Sequence, residues 1–329
     1  MTVINGIESE ELVHRANDIK SAIRFNDKIE DKLHVIMVIS NPCSYNKRWR
    51  LARQFIEHML DSEDVLLYVV ELAYGNQDYQ ITSKYDPRHL QLRTETPLWH
   101  KENMINLGVK KLLPSNWKAF AWIDADLEFE HMSWATDTLK ILNGCKDVVQ
   151  IFSHCLDMAN DNSTLQVFHG FGYQYATGKK YYGNGVNFWH CGFAWAMTRK
   201  AYEKIGGLFQ LAILGAGDHQ MALAMIGISN SIHIGSTDAY KNRLHAMVQQ
   251  AKHLRVGYVP GVCRHFFHGS KKNRKYMSRW EILIKYKYNP DRHITVDENG
   301  VIIPTNECPK AMLEDIMTYF QQRREDDDV

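Results

Sequence analysis

The chain has few cysteines, and none of them forms a closely spaced pair. Six cysteines occur among 329 residues, and no two of them are separated by only two residues. This spacing argues against a zinc knuckle and against a CxxC redox motif. A chain of this length can fold without disulfides, so we expect reduced thiols in a cytosol-like compartment.

The chain also lacks a long apolar run and a strong net charge. Its first residues are polar and acidic, and its most apolar early run, Val35 to Ile39, is too short to span a bilayer. We therefore expect a cytoplasmic protein without a signal peptide or a membrane segment, located in the host cytoplasm if the chain is viral. The formal net charge of +1 indicates no partner by itself.

Several catalytic signatures are missing. The first predicted strand leads into Ser40-Asn41-Pro42 and not into a GxGxxG turn, which disfavours a dinucleotide-dependent dehydrogenase. The sequence also contains no P-loop, no GxSxG elbow and no HExxH helix. The chemistry must therefore be sought in other residues.

What is present is an alternation of strand and helix patterns, which predicts an α/β fold with a mostly parallel central sheet and helices on both faces. The predicted strands cover 34–40, 64–73, 119–129, 147–152, 256–260 and 262–267. The predicted helices cover 47–60, 97–113, 131–144, 198–207, 217–227, 273–288 and 309–323. Residues 153–193 are rich in glycine, tyrosine and asparagine without a clean period, and they predict a loop-rich insertion.

Two carboxylates end a buried strand. Asp124 and Asp126 follow the apolar run 119–123, at the end of the strand where open α/β sheets bind ligands. Their spacing directs both side chains to one face, where they can hold Mg²⁺ or Mn²⁺ together with phosphate oxygens. The alternative is one helix-capping and one surface aspartate.

Asp218 follows a glycine-rich run and starts a predicted helix. It is either the N-cap of that helix or a general base that accepts a proton from an attacking hydroxyl. Both interpretations use the same helix-start position, and they stay open here.

Histidines and basic residues are clustered over 265–275. His265 or His268 can complete a metal site, and basic residues such as Lys271 can neutralise a diphosphate leaving group. The alternative is a strand end followed by a solvated charged helix. Lys101 and Asn106 lie on a predicted helix, and the period alone favours a plain amphipathic helix.

Taken in order, these stretches resemble the glycosyltransferases of GT-A fold, and most closely the metal-dependent β-1,4-galactosyltransferase and polypeptide N-acetylgalactosaminyltransferase branch. The resemblance runs from about Val35 to Arg279. It is carried by WHKENMINLGV (99–109), WIDADLEF (122–129), CGFAWAMTRKAYEKIGGL (191–208) with GAGDHQMA (215–222), and RHFFHGSKKN (264–273). We therefore expect a GT-A catalytic domain over 31–290, preceded by an N-terminal helical extension over 1–30 and followed by a C-terminal extension over 291–329 with a helix and a frayed acidic tail.

The resemblance also implies roles for single residues. Asp126 and Asp124 would bind a Mn²⁺ or Mg²⁺ ion, with His268 as the third ligand and His265 as its rival. The residues expected beside the nucleotide-sugar donor, preferably a UDP-sugar, are Ser40, Asn41, Glu71, Lys101, Asn106, Asp124 and Lys271. Asp218 would be the base of an inverting reaction. The family usually has consecutive carboxylates where this chain has Asp218-His219-Gln220, so His219 is the alternative base, and a retaining mechanism stays open.

The acceptor has two candidates, a glycan and a hydroxymethylated pyrimidine in DNA. The segments VISNP (38–42), VELAYG (70–75) and LWHKENMIN (98–106) are similar to the phage, viral and kinetoplastid enzymes that glucosylate hydroxymethyluracil. Two other functions remain as rivals: a metal-dependent phosphohydrolase, and a non-catalytic protein that binds nucleic acid or carbohydrate. The sequence does not indicate an oligomeric state.

Overall fold

The computed structural model describes residues 2–4, 7–9, 28–62, 64–179, 189–228, 235–275 and 278–327. The strands, numbered in chain order, are β1 Thr2–Ile4, β2 Ile7–Ser9, β3 Leu33–Ser40, β4 Val65–Tyr74, β5 His89–Thr94, β6 Ala119–Ile123, β7 Leu127–Phe129, β8 Val148–Gln150, β9 His154–Met158, β10 Thr164–Gly170, β11 Trp189–His190, β12 Ala194–Thr198, β13 Val256–Tyr258, β14 Val262–His265, β15 Ile294–Val296 and β16 Ile302–Pro304. The helices are α1 Asn46–Leu60, α2 Lys101–Leu112, α3 Trp134–Leu142, α4 Phe171–Ala176, α5 Arg199–Ile205, α6 Gly217–Met225, α7 Asp238–Ala251, α8 Trp280–Lys285, α9 Pro290–His293 and α10 Lys310–Gln322, and Lys271–Arg274 forms a 3-10 turn.

The central sheet has seven strands in the order β13-β8-β12-β6-β3-β4-β5. Its neighbours pair in parallel except at β12, which runs antiparallel to both β6 and β8. The predicted α/β class with a mostly parallel sheet is confirmed.

Helices cover both faces of this sheet. Val35 and Met37 of β3 enter a core that includes Phe55 of α1, while Ile36 enters a second core that includes Met104 of α2. A strand buried on both faces needs apolar residues at every position, which explains the continuous run in β3.

A second sheet of five strands has the order β11-β10-β9-β14-β7. Only Asp124-Ala125-Asp126 separates β6 of the central sheet from β7 of this second sheet. The predicted single strand 119–129 is therefore two strands, and the acidic triplet is the connection between two sheets.

The second sheet also corrects the prediction for 153–193. This segment contains β9, β10 and α4, and it is not a plain loop-rich insertion. Residues 164–167 of β10 are exposed to solvent, so polar side chains are accommodated there without breaking the strand. Residues 180–188 of this segment, which include Gly183 and Gly185, lie outside the described residues.

Other boundaries differ as well. Helix α2 begins at Lys101 and not at Pro97, and the predicted helix over 273–288 is a 3-10 turn followed by α8. Helix α7 and strand β5 were not predicted. In the predicted N-terminal helical extension, β1 and β2 pair antiparallel, and residues 10–27 lie outside the described part of the chain.

The C-terminal tail is ordered where fraying was predicted. Glu325 is only 1% exposed and pairs with Arg48 and Arg323. The buried Arg323 and the partly buried Arg48 thus offset the desolvation of this carboxylate. Among the described residues, no helix combines the length and the apolar character that a membrane crossing requires.

Candidate active site

A cavity of about 640 Å³ opens at the carboxyl end of the central sheet. Ser40, the last residue of β3, and the acidic triplet after β6 lie in its wall. Parallel strands place their carboxyl ends at one edge, so residues distant in sequence meet there. The starts of α2 and α6, the end of β14 and the end of α10 form further walls.

Asp126, His265 and His268 form a cluster with the geometry of a metal site. One ligand atom of each residue lies within 4.8 Å of the others. Asp126 Oδ2 is 2.7 Å from His268 Nε2 and 3.7 Å from His265 Nε2. The cluster forms because β7 and β14 pair antiparallel with Leu127 opposite His265, which brings the residue before β7 beside the end of β14. The two histidines that were predicted as rivals both contact Asp126.

The donor set of this cluster fits a divalent cation. Carboxylate oxygen and imidazole nitrogen are both ligands of Mn²⁺-like ions. Asp126 Oδ1 is buried and has no hydrogen-bond partner among the described residues. A bound cation would offset the free energy that burying such an oxygen costs.

The protonation states also suit a cation. Burial opposes ionisation of Asp126, but His268 and His265 outweigh it and hold the pKa of this carboxyl below its usual range. Burial, together with Arg274, lowers the pKa of His268 to about 4. Metal ligation needs deprotonated carboxylate and imidazole, and these shifts favour both.

Asp157 orients one ligand from behind. Its Oδ1 lies 2.7 Å from Nδ1 of His265, because β9 and β14 pair in parallel with Asp157 opposite His265. Burial opposes ionisation of Asp157, but the hydrogen bond with His265 and the ammonium of Lys271 hold its pKa at about 2. An anionic partner on Nδ1 leaves Nε2 of His265 directed at Asp126. The sequence analysis missed Asp157, whose role depends on strand pairing.

Asp124 belongs to a second group of charged side chains in the site, which surrounds Lys101. Among the described residues it is not part of the metal cluster, and it pairs with Lys101 instead. Asp218 also acts on Lys101 electrostatically. Burial raises the pKa of Asp124, whereas the Lys101 ammonium overcomes burial and lowers the pKa of Asp218. Asp218 is therefore ionised at neutral pH.

A glycine allows Asp218 to approach His190. A Cβ at Gly192 would lie 2.5 Å from Asp218 Oδ2 and 2.9 Å from His190 Cε1, so no larger residue fits. His190 stacks on Phe193 with ring centroids 3.9 Å apart, and burial lowers its pKa to about 3. The imidazole of His190 is thus neutral, and the sequence analysis missed it.

Asp218 is not the N-cap of α6. That position is Ala216, and Asp218 Oδ1 accepts a hydrogen bond from the N–H of His219 at 2.8 Å. Asp218 and His219 both line the cavity. His219 stacks on Trp189 with ring centroids 5.7 Å apart, and burial lowers its pKa.

Some residues predicted beside the donor do not reach this cavity. Glu71 accepts hydrogen bonds from the backbone of residues 80–82 and holds that loop. Asn41 bonds to the backbone of Tyr45 in the turn before α1. Neither side chain lines the cavity, whereas Ser40 does.

Asn106 and Lys271 also lie outside the cavity wall. Asn106 exchanges hydrogen bonds with the backbone of Leu208 and accepts one from the hydroxyl of Tyr202. Lys271 is half-exposed and its Nζ is 2.5 Å from Asp157. Asn106 thus ties α2 to the segment after α5, while Lys271 contacts the metal cluster only through Asp157.

Four arginines line the cavity, and they come from three distant segments. Arg48 lies in α1, Arg274 and Arg279 lie around the start of α8, and Arg323 follows α10. Arg274 was predicted as part of the basic run over 265–275. Arg48 belongs to the basic run Lys47-Arg48-Trp49-Arg50, whose composition suits contact with phosphates. Arg279 and Arg323 were not predicted, because no local pattern marks them.

Comparisons with known proteins add a weak likeness of fold. No protein-family model matches the chain, and no curated protein matches it in sequence. The catalytic domain of Drosophila β-1,4-galactosyltransferase 7 with xylobiose is 11% identical and has a TM-score of 0.38, over 87% of this chain and 99% of that chain. A mutant of that enzyme with manganese, UDP-galactose and xylobiose is 11% identical and has a TM-score of 0.41, over 87% and 98% of the two chains. The 4-diphosphocytidyl-2C-methyl-D-erythritol synthase of Anaerococcus prevotii is 9% identical and has a TM-score of 0.33, over 89% and 96% of the chains. Likeness at this level assigns neither an activity nor a substrate.

Proposed function

We propose that the protein is a metal-dependent glycosyltransferase that moves a sugar from a nucleoside-diphosphate sugar to an acceptor hydroxyl with inversion. One observation carries the proposal. A cluster suited to a divalent cation and an ionised carboxylate, Asp218, line the same cavity at the carboxyl end of a mostly parallel sheet. UDP-sugars are the favoured donors because of the motif resemblance.

The metal cluster and the carboxylates near Lys101 have different roles in this reaction. A cation held by Asp126, His265 and His268 would stabilise the negative charge of the leaving diphosphate. Lys101 fixes Asp124, whose carboxylate would face the donor's ribose or sugar. Asp218 takes the proton of the acceptor hydroxyl as that oxygen bonds to the anomeric carbon. The bond from that carbon to the diphosphate oxygen breaks, and the nucleoside diphosphate leaves with its electron pair.

The decisive binding experiment is calorimetry with UDP in the presence and absence of manganese. We expect manganese-dependent binding in the wild type and a loss of at least about 100-fold in Asp126→Asn, because the variant loses a charged ligand of the ion. The control is Asp61→Asn, which changes an exposed aspartate after α1. Unchanged UDP affinity in Asp126→Asn would refute the metal assignment.

Turnover with a panel of nucleotide sugars then tests the reaction itself. Glycans and DNA that contains hydroxymethylated pyrimidines form the two acceptor arms. We expect donor consumption to depend on one of these acceptors. Equal consumption without any acceptor would instead support a phosphohydrolase, and the absence of manganese-dependent binding would support a non-catalytic protein.

A further inference from the structure

The C-terminal segment forms one wall of the cavity. Tyr319, Phe320 and Arg323 line it. The hydroxyl of Tyr45 lies 2.9 Å from the carbonyl oxygens of both Phe320 and Gln321. This contact ties the end of α10 to the residue that precedes α1.

A second contact holds the residues after α10. The carboxylate of Asp326 accepts hydrogen bonds from the N–H groups of Asn46 at 3.0 Å and Lys47 at 2.8 Å, which satisfies the first turn of α1. The residue before it, Glu325, is thereby directed into the protein, where it is almost completely buried.

Glu325 joins two arginines. Its Oε1 lies 2.7 Å from Arg48 Nη2 and 2.7 Å from Arg323 Nε, and its Oε2 contacts Arg48 Nε. Each guanidinium has another fixed contact. Arg48 Nη1 donates to the carbonyl of Ser40 at 3.0 Å, and the Arg323 guanidinium lies 5.4 Å from the ring centroid of Trp99. Both arginines are therefore held in one orientation.

This group is adjacent to the metal cluster. Glu325 Oε2 lies 4.0 Å from His268 Nδ1, and Asp126 and Arg48 are close enough to interact electrostatically. In the described part of the chain, the guanidinium groups of Arg48, Arg274 and Arg323 interact with two carboxylates, Glu325 and Asp126, which leaves one positive charge in excess. A buried excess charge costs free energy unless an ion of opposite sign compensates for it. A guanidinium is also a planar fork of donors that matches phosphate oxygens.

We propose that Arg48 and Arg323 clamp the diphosphate of the donor, with Glu325 as the positioning residue that holds both guanidinium groups. The proposal rests on the proposed function and adds a phosphate-binding site to which the C-terminal segment contributes. The opposite interpretation is that Glu325 occupies the place of the diphosphate and inhibits its binding. The two interpretations predict different outcomes.

The test is calorimetry in manganese with three probes: inorganic pyrophosphate, UDP and uridine. In Arg323→Gln and Arg48→Gln we expect pyrophosphate and UDP to bind about 10- to 100-fold more weakly, the loss typical of a charge-assisted hydrogen bond. Uridine and manganese alone should bind as in the wild type. The matched control is Arg324→Gln, because Arg324 is exposed and lies outside the cavity lining.

Wild-type affinity for pyrophosphate in both variants overturns the clamp. Thermal unfolding shows whether each variant folds, and if Arg323→Gln does not, Arg323→Lys and Arg48→Gln decide the question. Lysine keeps the charge but loses the fork, so we still expect weaker binding. Pyrophosphate binding needs no sugar transfer, so the two proposals are tested separately. The clamp can be confirmed when no sugar transfer is found, and sugar transfer can be found when the clamp is refuted.

Glu325→Gln separates positioning from inhibition. A positioning residue predicts at least about a tenfold lower kcat with no increase in the donor KM, because the guanidinium groups keep their charge but lose their alignment. Glu325→Asp should recover part of the loss. Tighter pyrophosphate binding together with faster turnover in Glu325→Gln would show that the tail inhibits, and this outcome overturns the positioning role.

Discussion

The site contains two groups of carboxylates: Asp126 and Asp157 form the metal end, and the carboxylates around Lys101 form the other end. The two groups differ in how many positively charged or imidazole partners they have. At the metal end, the carboxylates have more partners than charges to compensate: Asp126 contacts His265 and His268, and Asp157 contacts His265 and Lys271. At the other end, Asp124, Asp218 and Glu102 surround the single ammonium of Lys101.

The difference appears in the protonation states. The pKa values of Asp126 and Asp157 are both below their usual range, so both carboxylates at the metal end are ionised. At the other end, burial raises the pKa of Glu102 to about 8, and the Lys101 ammonium only partly opposes this. Lys101 and Arg279 favour ionisation of Asp218, but Lys101 does not offset the burial of Glu102, so Glu102 keeps its proton while Asp218 ionises. The contrast suits a cation at one end and a proton acceptor at the other.

The largest expected effect follows from assigning the base to Asp218. In Asp218→Asn we expect turnover to fall by about 10²- to 10⁴-fold, because the side chain no longer accepts a proton. The affinity for UDP with manganese should stay within about twofold of the wild type. Stopped assays of sugar transfer and calorimetry measure the two quantities on the same preparation.

His219→Gln is the matched variant, since both candidate bases lie in the same first turn of α6. We expect it to retain most of its turnover. If Asp218→Asn works at the wild-type rate while His219→Gln does not, the base is His219 and the contrast between the two ends disappears.

A smaller effect is expected at Asp157, which contacts the metal-cluster residue His265. Asp157→Asn removes the anionic partner of His265, so manganese should bind about 10- to 100-fold more weakly. Asp161→Asn is the control, because this nearby aspartate is exposed and bonds only within its own turn. Manganese titration of both variants makes the comparison, and equal affinities would mean that Asp157 does not support the site.

These residues also show how far the sequence carries the prediction. The apolar run of β3 and the helical period of α1 predict the central sheet, because burial on two faces imposes a local pattern. Asp126 and His268 stand out for a similar reason: charged and imidazole groups at strand ends have few structural uses. Both signals are local in the chain.

Other features depend on pairings that no local pattern records. Asp157 reaches His265 only through the register of β9 with β14, and Arg323 reaches Arg48 only through the packing of the C-terminal segment. Glu71 shows the same dependence on contacts that are distant from any local pattern. The family resemblance implied that Glu71 lies beside the donor, but its carboxylate is used by the backbone of residues 80–82.

The smallest expected effect concerns Glu102 and is measured as the pH dependence of protein stability. Glu102 lies against α6, where a Cβ at Gly217 would come within 2.6 Å of its Oε1. The charged or titratable groups that interact with it electrostatically are Lys101, Asp218, Asp124 and Tyr240. Its folded pKa of about 8 exceeds the usual value of 4.5. Between these two pH values the folded state binds more protons than the unfolded state, so the free energy of unfolding falls as pH rises.

We expect Glu102→Gln to remove this slope, which amounts to at most about 1.4 kcal/mol per pH unit for one proton. Urea unfolding at pH 5.5, 6.5 and 7.5 measures it, and Glu298→Gln, which changes an exposed glutamate, should keep the wild-type slope. An unchanged slope in Glu102→Gln would mean that Glu102 is already ionised in the folded protein. All three carboxylates around Lys101 would then be ionised. The proposed contrast in protonation between the two ends would no longer hold.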